Sequence, residues 1–505
     1  MTYIMGIDVG TTGTKVTVFD LNGAMVTQRY RSYELLTPHP GWRELDPNEV
    51  LEAVYDCIRG CCEDGVGAKI RSVSVSAQGE ALVLIGKDGE VLANSMVSFD
   101  TRNLDTVQWL QENRDVRRYG RITGVPLHTM FSMTKLLYIR DHEPELYERT
   151  DRVMTFGDFV AYKLCGQAAM DASSASRTMM YHVREGRWEQ SIIEEVGLDP
   201  GKLPRVVPCG TLLGPVRGSA AAGLGLSAET LVAAGGHDQV CCALGAGILE
   251  SGIAMNSMGT TDSILCVCKE FSASDTLLDA NIPCGAYSLE KLYACHSFVL
   301  STGSIVQWFK KTYFKPGDIS FKELDAYMAA HPEPGDLQIL PHFSGSGTPW
   351  MDSCSKGVIA GLTLETTNMD IYHGILEGIC YELRTNLDNM QAVGLPVDQV
   401  ICIGGASGSR PYLQLKANIY QKPIVRQNVA EAGCLGAALL GAKAAGLIGD
   451  MGEALKNFIS EDEVILPDSE LAALYEEKFQ TYRRLYGISR ELFGKQSVRG
   501  GKPGC

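Results

Sequence analysis

The chain has 505 residues, of which 45% are hydrophobic and 21% charged, and its formal net charge is −15. This length predicts two large domains, and the acidic balance argues against nucleic acid and anionic membranes as partners. The first residues pass directly into a strand pattern without the features of a signal peptide, and no uncharged apolar run reaches the roughly 20 residues that span a bilayer. We therefore expect a cytoplasmic protein.

The first part of the chain alternates between strands and turns. Apolar and β-branched residues predict strands over 3–9 and 16–21, and a third strand over roughly 24–34. Apolar side chains at helical spacing predict a helix over 47–63, and alternation predicts a further strand over 70–76. A three-strand meander, a helix and another strand indicate an α/β domain.

Gly-Thr-Thr follows an apolar strand twice, in GIDVGTTGTK (6–15) and in MNSMGTTDSIL (255–265). The repeat suggests a duplicated domain, although so short a match also arises by chance. We predict an N-terminal domain over 1–248 and a C-terminal domain over 249–492. The polar, glycine-rich tail, 493–505, is expected to be disordered.

Several of the sixteen cysteines are clustered, namely Cys57, Cys61 and Cys62, Cys241 and Cys242, and Cys266 and Cys268. Zinc sites usually combine two CxxC-like units, or one such unit with spaced histidines, and neither pattern occurs here. We interpret the cysteines as reduced, buried thiols of a cytosolic protein.

The first Gly-Thr-Thr loop has the composition of a phosphate-binding loop. Gly10 allows close approach of a polyphosphate, Thr11 and Thr12 offer hydroxyls, and Lys15 adds a positive charge. Asp8, at the end of the strand, can hold a metal-bound water. The loop is not the GxxxxGK[ST] P-loop, and a plain tight hairpin explains these residues equally well.

Asp238 lies where an apolar strand gives way to a small-residue helix in AAGGHDQVCCALGAG (233–247). A carboxylate at such a junction can face a cleft and accept a proton from a hydroxyl. The alternative is that Asp238 only caps the helix, a position that Asp favours. A third glycine loop, ICIGGASGSR (401–410), can place an adenine against its backbone, or can simply begin a helix.

Together these motifs resemble the FGGY carbohydrate kinases, which include glycerol kinase, xylulokinase, fuculokinase and gluconate kinase. MFSMTKLLYIRDH (130–142) resembles the first family motif, with Lys135 in place, and KGVIAGLTLETTNMDIYHGILEG (356–378) resembles the second. The likeness covers about residues 3–445, with five motifs in order. It implies a two-lobed actin-like ATPase fold, α/β and ribonuclease H-like, with a cleft between duplicated domains.

The resemblance implies ATP and Mg²⁺ as cofactors and a small sugar or polyol as substrate. It is also compatible with a homo-oligomer. It implies that Asp238 is the catalytic base. It also implies that Asp238 binds the metal ion and that Asp8 binds it through a water molecule. The nucleotide contacts it implies are Gly10, Thr11, Thr12, Lys15, Gln239, Gly259, Thr260, Gly405, Ala406 and Ser409. Phosphoryl transfer relies on positioning and charge neutralisation, which such a set can supply.

The expected acceptor pocket departs from that of glycerol kinase, which surrounds its substrate with an Arg-Glu pair, a Trp, a Tyr and a Phe. The matching positions hold Gly79, Glu80, Ser98, Met130 and Ser263. Only the glutamate is retained, so we expect a more open pocket in which glycerol would be poorly oriented. The Met-His pair of xylulokinases is also absent.

We therefore expect phosphorylation of a primary hydroxyl of a ketose of four to six carbons, of xylulose or fuculose type. The expected substrate contacts are Gln78, Glu80, Asp100 and Asp238. For the first three, the alternative is structural hydrogen bonding at strand ends. Two other functions stay open: a kinase for a polyol or aldonate of glycerol, erythritol or gluconate type, and a non-catalytic actin-like nucleotide-binding protein.

Overall fold

A computed structural model describes residues 1–429 and 431–493. All but the first residue of the tail predicted to be disordered, 493–505, lies outside the described residues. The strands of the N-terminal half are β1 (Tyr3–Val9), β2 (Gly13–Asp20), β3 (Met25–Ser32), β4 (Glu44–Leu45), β5 (Ile70–Ala77), β6 (Leu82–Ile85), β7 (Ser95–Met96), β8 (Arg152–Thr155), β9 (Ala169–Asp171), β10 (Tyr181–His182), β11 (Arg187–Trp188), β12 (Arg205–Val207), β13 (Leu212–Pro215) and β14 (Leu231–His237). Its helices are α1 (Pro47–Cys61), α2 (Leu104–Asn113), α3 (Val116–Thr123), α4 (Ser132–His142), α5 (Pro144–Arg149), α6 (Phe156–Cys165), α7 (Ala172–Ala175), α8 (Gln190–Glu195), α9 (Gly218–Leu224) and α10 (Asp238–Gly245).

The C-terminal half has fewer strands and longer helices. Its strands are β15 (Gly252–Met258), β16 (Asp262–Cys268), β17 (Cys284–Ala286), β18 (Tyr293–Val299), β19 (Gln338–Leu340), β20 (Val358–Ala360), β21 (Val397–Ile403), β22 (Ile424–Asn428) and β23 (Ser460–Ile465). Its helices are α11 (Asp275–Asp279), α12 (Gly303–Tyr313), α13 (Phe321–Ala330), α14 (Asn368–Ala392), α15 (Arg410–Tyr420), α16 (Ala432–Ala444), α17 (Met451–Leu455), α18 (Ser469–Tyr482) and α19 (Leu485–Phe493).

The first sheet has the strand order β13-β14-β5-β1-β2-β3. The strands β1, β2 and β3 form an antiparallel meander, and β5 and β14 run parallel to β1. The predicted meander, helix and fourth strand are thus confirmed. The helix begins where the sequence predicts, because Pro47 occupies its first turn and the Asp46 carboxylate accepts a hydrogen bond from the Asn48 amide.

The second sheet repeats this plan with the order β17-β18-β16-β15-β21-β22-β23. Here β15, β16 and β18 form the antiparallel meander, and β21 and β22 run parallel to β15. The loops after β1 and β15 are the two Gly-Thr-Thr segments, at equivalent positions of the two sheets. The duplication inferred from the short repeat is therefore confirmed.

Two small-residue helices, α10 and α16, cross between the sheets. The crossing is close, since a Cβ on Gly245 would lie 2.1 Å from the Ala432 carbonyl oxygen and one on Gly436 would lie 2.0 Å from that of Cys241. Only glycine permits such an approach. Although α16 follows β22 in the second sheet, its apolar side chains pack with Ile4 and other residues of the first sheet. The division at 248/249 remains a prediction, and the crossing shows that the two halves share these helices.

Within the described part of the chain, no helix has both the length and the apolar character required to cross a membrane.

Candidate active site

The two phosphate-loop candidates are the turns between β1 and β2 and between β15 and β16. In the first, the Gly10 amide donates to the Gly13 carbonyl at 3.0 Å, and the Tyr33 hydroxyl donates to the Gly10 carbonyl at 2.5 Å. Thr12 at its tip is exposed. In the second, both Gly259 and Thr260 are exposed. The tips of both loops can therefore reach a ligand.

The third glycine loop lies directly behind the second. Gly404 has a φ of +97°, and a Cβ on it would lie 2.4 Å from the Met258 carbonyl oxygen, so this close approach requires glycine. Gly405 and Ala406 are exposed beside it. The Ser409 hydroxyl caps α15, accepting from the Tyr412 amide, and donates to a carboxylate oxygen of α13 at 2.6 Å. The predicted adenosine contacts thus adjoin the second loop, with Ser409 already engaged in the protein.

Asp8 is the penultimate residue of β1, next to the first loop. Its Oδ1 accepts from the Ser76 hydroxyl at 2.7 Å, and a Cβ on Gly433 of α16 would lie 3.2 Å from its carboxyl carbon. Burial raises the pKa of Asp8, and the Ser76 hydrogen bond and the nearby Lys15 oppose that shift. Asp8 is thus a carboxylate held at the floor of the cleft.

Lys15 pairs with Glu431, at 2.6 Å between Nζ and Oε2, and both side chains are 31% exposed. The partners come from β2 and from the residue before α16, which are far apart in the sequence. Sequence reasoning placed Lys15 in the phosphate site but did not find Glu431, because nothing local connects the two positions.

Asp238 is the first residue of α10, and its side chain is 31% exposed. The N-cap is His237, whose Nδ1 accepts from the Gln239 amide, although Asp238 Oδ1 also accepts from that amide at 2.6 Å. Asp238 is therefore not the N-cap residue itself, although its carboxylate still bonds the first turn of α10. Burial, followed by the negative charges of Asp8 and Glu80, raises the pKa of Asp238 to about 7.

Glu80 is a buried carboxylate of the expected acceptor region that is bonded through both oxygens. Arg177 Nε donates to its Oε1 at 2.7 Å, and the Ser98 hydroxyl donates to its Oε2 at 2.7 Å. Although burial opposes ionisation, Arg177, His237 and Lys135 together lower the pKa of Glu80 to about 2. Glu80 is therefore a fixed negative charge.

Gly79 is required by its neighbours. A Cβ there would lie 2.2 Å from His237 Cδ2 and 3.2 Å from Arg177 Cγ. The absence of a side chain at position 79 therefore does not leave empty space, since the imidazole of His237 fills it. At this position the observation corrects the expectation of a wider pocket, because a side chain from another part of the sequence occupies the space.

The other predicted substrate residues differ in availability. Asp100 is fully buried, and its carboxylate accepts from the Arg43 amide and from Arg102, so the described structure presents no exposed acceptor there. Gln78 Nε2 donates to the Gly10 carbonyl at 3.4 Å, whereas its buried Oε1 finds no hydrogen-bond partner among the described residues. Buried polar atoms are nearly always satisfied, so Gln78 is the better candidate for a ligand contact.

A narrow cavity lies between the two halves beside these residues. It is lined from the N-terminal half by residues that include Arg177, His237 and Gln239, and from the C-terminal half by residues that include Gly285 and His296. The buried His296 Nε2 lacks a hydrogen-bond partner within residues 1–429 and 431–493. The Gln239 amide oxygen accepts from the Ser263 hydroxyl at 2.6 Å, which joins the halves at the cavity.

The carboxylates fit a hard divalent cation. Asp8 and Asp238 lie close enough that the charge of one raises the pKa of the other, and both are carboxylate oxygen donors of the kind that Mg²⁺ selects. A bound cation relieves such repulsion, and the exposed loop amides complement phosphate oxygens.

Comparison with known proteins decides the family. The FGGY family of carbohydrate kinases, N-terminal domain, matches residues 3–245, and the corresponding C-terminal domain matches residues 254–445. The chain belongs to the FGGY family of carbohydrate kinases. As an FGGY kinase, it is an ATP-dependent kinase of a sugar or polyol, and the activity class predicted from the motifs is confirmed.

Individual FGGY relatives extend over nearly the whole chain. The xylulose kinase of Staphylococcus epidermidis (strain ATCC 12228 / FDA PCI 1200) is 30% identical over 495 residues, 97% of each chain. The glycerol kinase of Haloarcula marismortui is 30% identical over 482 residues, 92% of this chain and 93% of the relative. The chain is thus similar to kinases of two acceptors.

Solved structures of FGGY kinases superpose closely. A ligand-bound xylulose kinase from Lactobacillus acidophilus has a TM-score of 0.91 at 25% identity, covering 98% of this chain and 100% of the other. Gluconate kinase from the same organism has a TM-score of 0.90, with the same identity and coverage. The predicted two-domain actin-like fold is confirmed.

Arg177 and His296 are the main site residues that sequence reasoning missed. Neither lies in a motif that the sequence analysis used. The only available signal was indirect: a buried ionised Glu80 requires a cation, and Arg177 was one of many arginines that could supply it.

Proposed function

We propose that the chain phosphorylates a primary hydroxyl of a ketose of four to six carbons, with Asp238 as the general base. The observation that carries this proposal is the environment of Asp238: a cleft carboxylate at a helix start, with its pKa raised to about 7. A base works best when its pKa lies near the working pH. An Asp on the surface with an unshifted pKa would not have this property.

The cleft supplies the donor site from both halves. The amides and hydroxyls of Gly10, Thr11 and Thr12 and those of Gly259 and Thr260 would bind the phosphates of ATP, and Lys15 would add charge. Asp8, through water, and Asp238 would hold Mg²⁺, which neutralises phosphate charge when it is bound. Burial of Asp8 against Ser76 fixes this carboxylate before any substrate arrives.

Asp238 acts on the acceptor. Its half-buried carboxylate would accept the proton of the attacking hydroxyl as the oxygen approaches the terminal phosphorus in line. The neighbouring His237 does not compete for that proton, because burial and then Arg177 lower its pKa to about 4. His237 therefore stays neutral and positions the start of α10.

The acceptor class is inferred from the polar groups in and beside the cavity. Arg177 and His296 line the cavity, and Glu80 holds a permanent charge behind Arg177. Gln78 Oε1 and His296 Nε2 have no hydrogen-bond partner among the described residues. Several separated donors and acceptors suit a chain of hydroxyls and a carbonyl better than they suit a three-carbon polyol. The similarity to xylulose kinases agrees with this choice.

A polyol or aldonate acceptor is the second candidate. It is favoured by the similarity to the glycerol kinase of Haloarcula marismortui and to gluconate kinase from Lactobacillus acidophilus. Arg177 is the one cation on the cavity wall that could meet an aldonate carboxylate, but Glu80 already neutralises it.

A panel of acceptors tests the proposal. Sugar-dependent ADP release would be measured for tetruloses, pentuloses and hexuloses, for glycerol and erythritol, and for gluconate. We expect the highest kcat/KM for a ketose, and product analysis should show a phosphate ester at a terminal carbon. A higher kcat/KM for glycerol or gluconate than for every ketose would reject the substrate class. ADP release independent of any acceptor would reject the kinase role of the cleft.

A further inference from the structure

Three buried cysteines converge in the C-terminal half, away from Asp238. Cys268 ends β16, Cys284 begins β17 and Cys295 lies on β18. Their sulfur atoms all lie within 4.8 Å of one another. Sequence spacing does not reveal this group, because zinc-site patterns consist of paired ligands on one short segment and these three cysteines come from three strands.

The sheet register explains the convergence. Cys295 is the direct partner of Cys266 on one side and of Cys284 on the other. Cys268 follows Cys266 by two residues and therefore points to the same face of the sheet. The sulfur of Cys266 contacts the sulfur of Met390 at 3.4 Å. The face thus carries four thiols and a thioether, of which three sulfurs form a compact triangle.

The surroundings of the triangle are apolar. The three side chains belong to a cluster that includes Leu277 and Ile282, and their exposed fractions are 5%, 1% and 0% in chain order. No histidine or carboxylate joins the group within the part of the chain that the structure describes. Hard oxygen-seeking ions such as Mg²⁺ therefore find no suitable ligands here, whereas soft ions that prefer sulfur do.

We propose that Cys268, Cys284 and Cys295 form a binding site for one thiophilic metal ion, separate from the kinase cleft. Metal–sulfur bonds of about 2.3 Å place three ligands about 4 Å apart, a spacing that the present triangle permits. Three sulfurs without a fourth side chain suit three-coordinate Cu(I), while Zn²⁺ in structural sites takes four ligands. Each thiol that binds the ion releases its proton to solvent.

The triangle also has a route to solvent. Cys268 is its least buried member and is followed by the exposed residues Lys269 and Glu270. Its Sγ contacts the Glu270 carbonyl oxygen at 3.2 Å, so that this oxygen lies at the outer edge of the site. An ion can therefore enter from the end of β16 without passing through the cleft.

The test uses the full-length chain, reduced and free of metal, under exclusion of oxygen. Cu(I) and Zn²⁺ would be titrated separately in competition with a chromophoric chelator, and X-ray absorption would count the sulfur ligands. We expect one ion per chain, bound by three sulfurs at about 2.3 Å. Binding of either ion in this way supports the site. Retention of neither, or a sulfur count of one or fewer, would overturn it, and this measurement needs no variant.

Variants locate the bound ion. Cys284→Ser should weaken binding at least about 10-fold, since even loss of an outer-shell partner commonly costs that much. The matched control is Cys57→Ser, a substitution of another buried cysteine that lies on α1 in the other half. Kinase activity serves as the check that each variant is folded. Equal weakening by both substitutions, or undiminished binding by Cys284→Ser, would place the ion elsewhere and refute the assignment.

Discussion

The two halves of the molecule repeat one fold but do not repeat its chemistry. Both keep the Gly-Thr-Thr loop after the first strand of the meander. In the first half the strand before that loop presents Asp8, whereas the equivalent position of the second half holds Ser257. Where α10 and α16 cross, Gly245 approaches Ala432 and Gly436 approaches Cys241, so that Cys241 and Ala432 hold equivalent positions. The same offset makes Val429 the equivalent of Asp238.

This difference separates two tasks of a phosphoryl-transfer site. Phosphate oxygens are met by loop amides and hydroxyls, and a ligand lying between two lobes benefits from such loops on both sides. Proton acceptance and metal binding need carboxylates, and two further acids facing Asp8 and Asp238 would add repulsion without a partner. Duplication explains why the loops match, and the reaction explains why the acids do not.

The largest expected effect comes from removing the proposed base. Asp238→Asn should lower kcat by about 10²–10⁴-fold, the usual contribution of a general base, while nucleotide affinity stays within a few fold. The measurement is steady-state kinetics with ATP binding by calorimetry. Glu431→Gln is the matched control, because it removes a cleft carboxylate that pairs with Lys15. A comparable loss of kcat in Glu431→Gln would show that the loss in Asp238→Asn is not specific to the proposed base.

Substitutions of Asp8 and Ser257 test directly whether only the first half supplies a carboxylate to the reaction. Asp8→Asn should lower kcat/KM by about 100-fold, because a metal supplies several kcal/mol of charge stabilisation and this substitution weakens its site. Ser257→Ala, at the equivalent position, should change it less than about 2-fold, as most substitutions of residues without a catalytic partner do. Rate measurements across Mg²⁺ concentrations check both. Equal effects would mean that the halves share the metal.

The two Gly-Thr-Thr loops should contribute equally to ATP binding, although the carboxylates of the two halves differ. Thr11→Val and Thr260→Val should each raise the KM for ATP about 10-fold, since a hydrogen bond to a charged group contributes about 1.5–3 kcal/mol. The KM for the sugar should stay unchanged in both variants. An effect confined to one loop would show that only one of them binds phosphate.

A smaller effect is expected at Gly79. A methyl group there would meet the ring of His237, so Gly79→Ala should raise the sugar KM about 3- to 10-fold through a shift of positioned groups, with the KM for ATP unchanged. Gly218→Ala provides a control, because an added Cβ there has nothing within 4 Å. An unaltered sugar KM in Gly79→Ala would show that the His237 ring does not border the acceptor site.

Local patterns predicted the parts of the fold that depend on neighbouring residues. The meander, α1 and the strand-to-helix junction at Asp238 follow from alternation, from Asp46-Pro47 and from small residues after an apolar strand. The short repeat of Gly-Thr-Thr was enough to suggest the duplication. Asp8 and Asp238 could be proposed from the sequence because both occupy recognisable motifs at strand ends.

Long-range pairings could not be predicted in this way. Arg177 reaches Glu80, and Glu431 reaches Lys15, through contacts that depend on the assembled sheets. The expectation of an open pocket failed at Gly79 for the same reason, because the side chain that fills the space belongs to His237. The cysteine triangle likewise exists only once three strands are in register.

The pH dependence of kcat/KM for the sugar tests the central claim most directly. Proton acceptance requires ionised Asp238, whose pKa burial, Asp8 and Glu80 raise to about 7, so activity should fall as pH drops below about 7. The same limb should move to lower pH in Asp8→Asn, because a neighbouring negative charge is removed. A limb near 4 in the parent chain, or a limb near 7 that persists in Asp238→Asn, would contradict the assignment of Asp238 as the base.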